Sequence, residues 1–431
     1  MIEKLIRTHL CRKFTGYKEL KLNNEIPTHH TLHNKLQNNK EMGLYLHIPF
    51  CDQICPYCPY NKEVYDPDLA KLYTEAVIKE IDSYAEMLKG VPITSFYIGG
   101  GTPTTMLYNG LDKLITKIYK EFDMTCDIHM ESHPNHLSKE NLKYIKSLGV
   151  QNLSIGMEAL QDIHLNALNR PYTAKEVKRA LERAIAMDFK CLNADMIFDL
   201  PSQTYNEVKE TGKKLIKMGV DQVAAYPLFR FPYTRMGSHG NVNNFNLSTI
   251  FKRKKMIGIL ENIFYNAGYE RSSVWAFTKT GKEKYCSVTV PKYVGLGASG
   301  GTYLKDIFYL NTFNVREYIK AINGRNSAIA LSIDLSAKLQ MAGWLYWRIY
   351  ETKFTHASFR DRFGVDLNQL FSNYLRFFKG IGFLKDDGEN IIFTDKGTYW
   401  LHALEDIFSI DYISTLWGTS KQNPWPQTVK L

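Results

Sequence analysis

His47-Ile-Pro-Phe-Cys51-Asp-Gln-Ile-Cys55-Pro-Tyr-Cys58-Pro-Tyr60 gathers three thiols into eight residues. With seven cysteines in 431 residues, a CxxxCxxC arises by chance roughly two times in a thousand, so the spacing reads as a ligand set. Structural zinc takes four protein ligands in paired knuckles, and no second CxxC follows. A disulfide framework conflicts with the odd cysteine count and with the lack of a secretory signal. Iron–sulfur cubanes are held by thiolates, normally four. Three thiols on one loop therefore leave one iron open to a ligand that is not cysteine, and that iron is where chemistry is expected.

The totals frame this loop. A chain of 431 residues with 44% apolar residues suits one large domain plus a smaller one. No apolar run of 18 or more occurs, and the start, MIEKLIRTHLCRKF, lacks the core of a signal peptide. A cytoplasmic protein with no membrane contact is the expectation. The net charge of +10 is scattered rather than blocked, which argues for a solvated surface and against nucleic acid as a partner.

Apolar strands alternate with amphipathic helices from Gly43 onward. Strands are expected at 43–49, 93–98, 127–131, 151–158, 191–200 and 221–228, with a capping box at Thr173 and Glu176 opening a helix that runs to about Met187. Six βα units argue for a parallel sheet with ligands gathered at its C-terminal edge. The cysteine loop, Gly99-Gly100-Gly101-Thr102, Glu131, Glu158 and Asp195 all fall there. Glycines let backbone approach a charged ligand closely, and carboxylates in a cleft suit an ammonium, a sulfonium or ribose hydroxyls.

The expected organisation is an exposed arm at 1–42, a (β/α)6 core at 43–235, an extension at 236–330 and a C-terminal domain at 331–431. In the last, Phe383-Leu384 and Ile391-Ile-Phe393 around Asp386-Asp-Gly388 read as a winged hairpin. Without a basic recognition helix, that domain is not expected to bind DNA. The fold class is α/β, a TIM-like barrel with a helical, winged-helix-like second domain.

CxxxCxxC after a strand, with Tyr57 before the third cysteine, resembles the radical S-adenosylmethionine (SAM) superfamily. More narrowly, Tyr45-Leu-His-Ile-Pro-Phe-Cys51 and Gly99-Gly-Gly-Thr-Pro103 resemble the branch of oxygen-independent coproporphyrinogen III oxidase, a haem chaperone and the class C radical methyltransferases. The resemblance implies the open, partial (β/α)6 form of the TIM-like barrel, a C-terminal domain that covers the active site, and a [4Fe-4S] cluster on Cys51, Cys55 and Cys58. The open iron would chelate SAM, and an electron delivered there by flavodoxin or ferredoxin would split the sulfonium to a 5′-deoxyadenosyl radical. It also places Tyr45, Gly100, Glu131 and Gly301 on this first SAM, and Gly99 of the glycine run counts among the cofactor-binding residues. Around a second SAM it places Tyr57, Gly101, Thr102, Glu158, Arg170, Asp195 and Pro227, and Tyr45, Glu158, Arg170 and Cys286 are the catalytic candidates.

The departures from the family pattern narrow the function. Glu158 stands where the family usually has Gln, and Asp199 where it usually has Gly. No Tyr-Pro-Thr type motif precedes the barrel, against porphyrinogen decarboxylation. Lys284-Tyr-Cys-Ser-Val-Thr289 replaces the HNxxYW motif of the haem chaperone. The pair Ser273-Val-Trp-Ala-Phe277 and Ser287-Val-Thr289 resembles class C methyltransferases. Methyl or methylene transfer from a second SAM to an sp² carbon of a planar small molecule, by a monomer, is therefore the expected reaction. The alternatives are a coproporphyrinogen dehydrogenase-like or haem-modifying enzyme and, in another class, a haem or metallocofactor chaperone. Gly343-Trp-Leu-Tyr-Trp347 reads as core that would also stack a flat substrate. Cys126 and Cys191 read as core, and His47 and His133 as packing residues.

Overall fold

Six parallel strands form the centre of the computed structural model: β1 (Met42–Ile48), β2 (Ile93–Gly100), β3 (Ile128–Ser132), β4 (Val150–Glu158), β5 (Cys191–Phe198) and β6 (Gln222–Pro227). The structure describes residues 19–238, 246–286, 291–325 and 327–431. Leu44, Leu46, Phe96, Ile98, Leu153 and Ile155 are buried to 2% exposure or less, as in a parallel sheet packed on both faces. The sequence bounds hold to within two residues. The Thr173–Glu176 capping box opens the helix Ala174–Ile185, and Thr204 with Glu207 does the same for Tyr205–Met218.

The sheet continues beyond the barrel on both sides. Next to β6 lie the antiparallel β7 (Tyr269–Ser273) and β8 (Ala276–Lys279), with β8 on β6. On the other side β9 (Tyr293–Leu296) runs parallel to β1. Beyond it come β10 (Gly301–Tyr303), β11 (Ile307–Asn311), β12 (Ile329–Asp334) and the short strands Lys21–Asn23 and Thr428–Lys430. These strands are three to six residues long, too short for a clear alternation signal in the sequence.

The stretch read as an exposed arm is partly core. Thr28 caps the helix His29–Gln37, whose Leu32 and Leu36 are 5% and 0% exposed. Two leucines at i, i+4 make a stripe that the polar composition concealed. His29, His30 and His33 lie toward solvent on the same helix.

The C-terminal part has its own core of Trp344, Phe354, Phe359, Leu367, Leu384 and Ile391. The hairpin pairs Leu384 with Phe393 and Asp386 with Ile391, and Lys353–Thr355 adds a third strand. The long helix Asp395–Gln422 then returns to the barrel, where His402 packs on Trp275. This is the expected partial barrel with a helical, winged second part.

Candidate active site

The cysteine loop is closed at its base by Phe50–Cys51, which pairs with Glu63–Val64. Asp52 accepts from His136 Nε2 at 2.6 Å and Lys62 Nζ donates to the Cys58 carbonyl at 2.6 Å. The loop is thus tied at both ends. Cys51, Cys55 and Cys58 are free thiols, the first buried and the others half-buried. Burial pushes the Cys51 thiol up to about 12, so it ionises only beside a positive charge such as a metal provides.

Gly99, Gly100 and Gly101 end β2 against this loop. A side chain at Gly100, which has φ +116°, would strike the His47 ring, and one at Gly101 would sit 2.7 Å from the Phe50 carbonyl. Backbone therefore reaches the loop only because these positions lack a Cβ. Thr102 Oγ1 donates to Cys51 Sγ at 3.4 Å.

Three carboxylates occupy the next strand ends. Glu131 accepts from Tyr97 Oη at 2.7 Å and from the Gly100 amide at 3.1 Å. Burial raises it to about 7. Asp195 accepts from Ser154 Oγ at 2.7 Å and Asn193 Nδ2 at 2.8 Å, and burial, with Glu158 next, also raises it to about 7. Glu158 sits at φ +60° with its carboxylate 3.1 Å from Arg170 Nη2. Burial raises its pKa and Arg170 opposes the rise. Arg170 also donates to the Gly156 carbonyl at 2.8 Å and to Cys55 Sγ at 3.1 Å. One guanidinium thus links a strand end to a cysteine of the loop.

These groups line one cavity of about 460 Å³, a size ordinary for a cofactor and substrate site. Tyr226, Phe229, Trp275, Tyr346, Trp347 and Tyr350 supply aromatic walls, and His402 and Asp406 of the last helix also border it. The aromatic pentapeptide therefore divides: Trp344 serves the C-terminal core, while Tyr346 and Trp347 reach the cavity.

Tyr57, Gly100, Gly101, Thr102, Glu131, Glu158, Arg170, Asp195, Pro227 and Cys286 border the cavity with the three cysteines. Tyr45, Gly99 and Gly301 do not. The Tyr45 hydroxyl is bonded to His47 Nδ1 at 2.9 Å with its ring stacked on Tyr97, which does line the cavity. Gly99 faces Tyr97 and Glu131 from behind, and Gly301 lies in β10, paired with Leu310 beyond the parallel strands. Ser287–Thr289 fall outside the described residues. Asp199 has φ +59°, the conformation that favours glycine, and its carboxylate pairs with Arg253 Nε and Lys252 Nζ at 2.8 Å each. An ion pair stands where the usual glycine would need none.

Sequence reading missed a polar network in the cavity wall. Gln222 accepts from the Tyr285 amide at 3.0 Å and donates to Asn193 Oδ1 at 3.2 Å, and Tyr285 Oη meets Tyr97 Oη at 2.8 Å. Gln222 and Asn193 are 1% and 0% exposed, and amides inside otherwise apolar strands were the available signal.

Among the described residues no three His, Cys, Asp or Glu side chains converge as ligands of one metal ion. A cubane takes each thiolate on a separate iron, so a spread set of thiols around a cavity suits it, and the all-sulfur donor set suits iron–sulfur chemistry.

Comparison with known proteins agrees. Residues 45–215 match the model described as the radical SAM superfamily. The chain is 28% identical over 390 residues to the haem chaperone HemW of Lactococcus lactis, covering 87% of this chain and 99% of that one. It is 21% identical to the oxygen-independent coproporphyrinogen III oxidase of Pseudomonas aeruginosa, covering 88% of each. The solved coproporphyrinogen III oxidase of Escherichia coli superposes with a TM-score of 0.77 at 18% identity, covering 90% of this chain and 94% of that one. These relatives support the tetrapyrrole-related alternatives over methyl transfer. Fold, cysteine loop and relatives agree on a radical SAM domain over residues 45–215, in a chain similar along most of its length to oxygen-independent coproporphyrinogen III oxidase and the haem chaperone; a [4Fe-4S] cluster and SAM are the cofactors that this domain implies.

Proposed function

We propose that this protein takes a hydrogen atom from a tetrapyrrole-type small molecule bound in the cavity, in an oxidative reaction of the coproporphyrinogen oxidase kind in which the second electron passes to an external one-electron acceptor. The observation that carries this reading is the cavity's division. Thiols, three carboxylates and Arg170 come from the cysteine loop and the barrel strand ends, and Trp275, Trp347 and Tyr350 add aromatic walls on which a ring system can stack.

Cys51, Cys55 and Cys58 would hold the cluster. When bound, the cluster and SAM together supply a 5′-deoxyadenosyl radical. Arg170, donating to Cys55 Sγ, would orient that thiolate. Glu131, fixed by Tyr97 and the Gly100 amide, would accept the ammonium or ribose hydroxyls of SAM. Asp195 offers a second such acceptor. The aromatic walls would hold the substrate ring and keep water from the radical.

The test is anaerobic incubation of reconstituted, reduced protein with SAM and coproporphyrinogen III. The reading expects 5′-deoxyadenosine and carbon dioxide together. S-adenosylhomocysteine with a methylated product would overturn it in favour of the methyl transfer that the sequence motifs suggest. A haem carrier is the second reading, favoured by the near-complete coverage of the haem chaperone relative. Tight stoichiometric haem binding without SAM cleavage would select it.

A further inference from the structure

Trp275 is 4% exposed, yet its indole Nε1 has no hydrogen-bond acceptor among the described residues. A donor buried without a partner is rare in folded proteins, because it loses water and gains nothing. The ring borders the cavity between His402 and Phe229, whose ring centroids stand 5.3 and 6.3 Å away. His402 offers it no acceptor, since Nδ1 meets Glu405 Oε2 at 3.1 Å and Nε2 meets Asp406 Oδ1 at 3.4 Å. The indole N–H therefore waits for an acceptor that the cavity's occupant brings.

The cations of the lining point to the kind of acceptor. Arg170 is engaged by Glu158 and Cys55, and Lys62 by carbonyls of the cysteine loop. Lys284 is held more loosely: its Nζ stands 3.5 Å from Glu351 Oε1, while Arg348 takes the other oxygen of that carboxylate at 2.5 Å. Trp275 and Lys284 both border the cavity, and both are anchored at the C-terminal end of the helix Ala337–Tyr350, where the Val274 amide donates to the Tyr350 carbonyl at 2.9 Å. An anion is disfavoured beside Glu131, Glu158 and Asp195 at the strand ends. The Trp275 and Lys284 wall is where it fits.

We propose that Trp275 Nε1 and Lys284 Nζ form a carboxylate-recognition subsite, which reads the acidic side chains of the substrate and so orients its ring in the cavity. The proposal rests on the tetrapyrrole reading above and adds the groups by which that ring is selected. The indole donates one hydrogen bond and the ammonium supplies the countercharge; one carboxylate accepts both. An uncharged ring of the same shape would stack on Trp347 and Tyr350 but leave the indole N–H unpaired.

The test measures binding of two porphyrins to full-length reconstituted protein by absorbance titration in the same neutral detergent. One is coproporphyrin III and the other its analogue with ethyl groups in place of the propionates. Wild type should prefer coproporphyrin. Trp275→Phe, which keeps an aromatic ring, should weaken coproporphyrin about tenfold and leave the ethyl analogue within about twofold. Lys284→Gln should weaken coproporphyrin several-fold at low salt, and the deficit should shrink by about 0.5 M salt, where the screening length falls to a few ångströms. Lys284→Arg should keep the wild-type affinity. Equal losses for both porphyrins, or no loss for either, would overturn the subsite, as would wild type that does not distinguish them. An indole N–H satisfied by the neighbouring Tyr399 ring would lower the thermal midpoint of Trp275→Phe with coproporphyrin affinity intact, which also overturns it. Wild type that binds neither porphyrin would overturn the tetrapyrrole reading beneath it, whatever the variants do.

Discussion

Arg170 is the residue whose replacement tests the site's construction most sharply. Its side chain is 9% exposed and that of Glu158 12%, with 3.1 Å between the charges. Arg170→Met keeps the apolar stem and removes the charge, leaving a buried carboxylate with the Tyr57 hydrogen bond but no countercharge. Breaking one side of a buried pair costs about 3–5 kcal/mol, because the remaining charge has no compensation. Glu158→Gln removes that charge, so the double variant should recover about 2 kcal/mol of the loss. The sign with pH follows from the direction of the shift. Burial raises the folded pKa of Glu158 above the unfolded value of about 4.3, and without Arg170 it rises further. Its favourable contribution is complete below the unfolded value and is lost as pH climbs through the folded one. The Arg170→Met deficit should therefore grow with rising pH. Urea unfolding of cluster-free protein at several pH values, with and without Glu158→Gln, measures this. A cost that is pH-independent and identical in both backgrounds would refute the coupling.

Other substitutions bear on neighbouring parts. Gly100→Ala faces both φ +116° and the His47 ring. It should lower the thermal midpoint and cut cluster content several-fold, measured by calorimetry and iron analysis. Asp199→Gly relaxes a left-handed backbone but strips a carboxylate from Arg253, whose side chain is 10% exposed. The net loss should be about 2–3 kcal/mol, read as a reduced urea midpoint. Glu131 and Asp195 are each raised to about 7 in the ligand-free cavity. A cationic ligand favours their ionised forms, so SAM affinity should strengthen as pH rises through 7, with protons released on binding. Calorimetry in buffers of different ionisation enthalpy counts them, and proton uptake would contradict the assignment.

The barrel was legible because its signals are local. Cysteine spacing, the glycine run after β2 and the polar residues at strand ends each occupy a few consecutive positions, and period and capping fixed the helices between them. What escaped depends on distant pairings. Gln222 belongs to the site through Tyr285, 63 residues away, and the Tyr97–Tyr285 contact spans 188. Tyr346 and Trp347 reach the cavity while Trp344 turns into the other core, and nothing in the pentapeptide distinguishes the three. Gly301 matched a family position by loose register, and it lies in β10, paired with β11, off the cavity lining. At Asp199 the sequence showed only a departure from glycine; the compensating Arg253 lies 54 residues on.

Deuterium tracing offers the most direct decision. Coproporphyrinogen III deuterated on its propionate side chains, incubated anaerobically with reduced protein and SAM, should yield 5′-deoxyadenosine carrying one deuterium, and replacing Cys51, Cys55 and Cys58 by alanine should abolish it. Unlabelled 5′-deoxyadenosine alone, or activity that survives loss of the three thiols, would contradict hydrogen abstraction from a tetrapyrrole in this cavity.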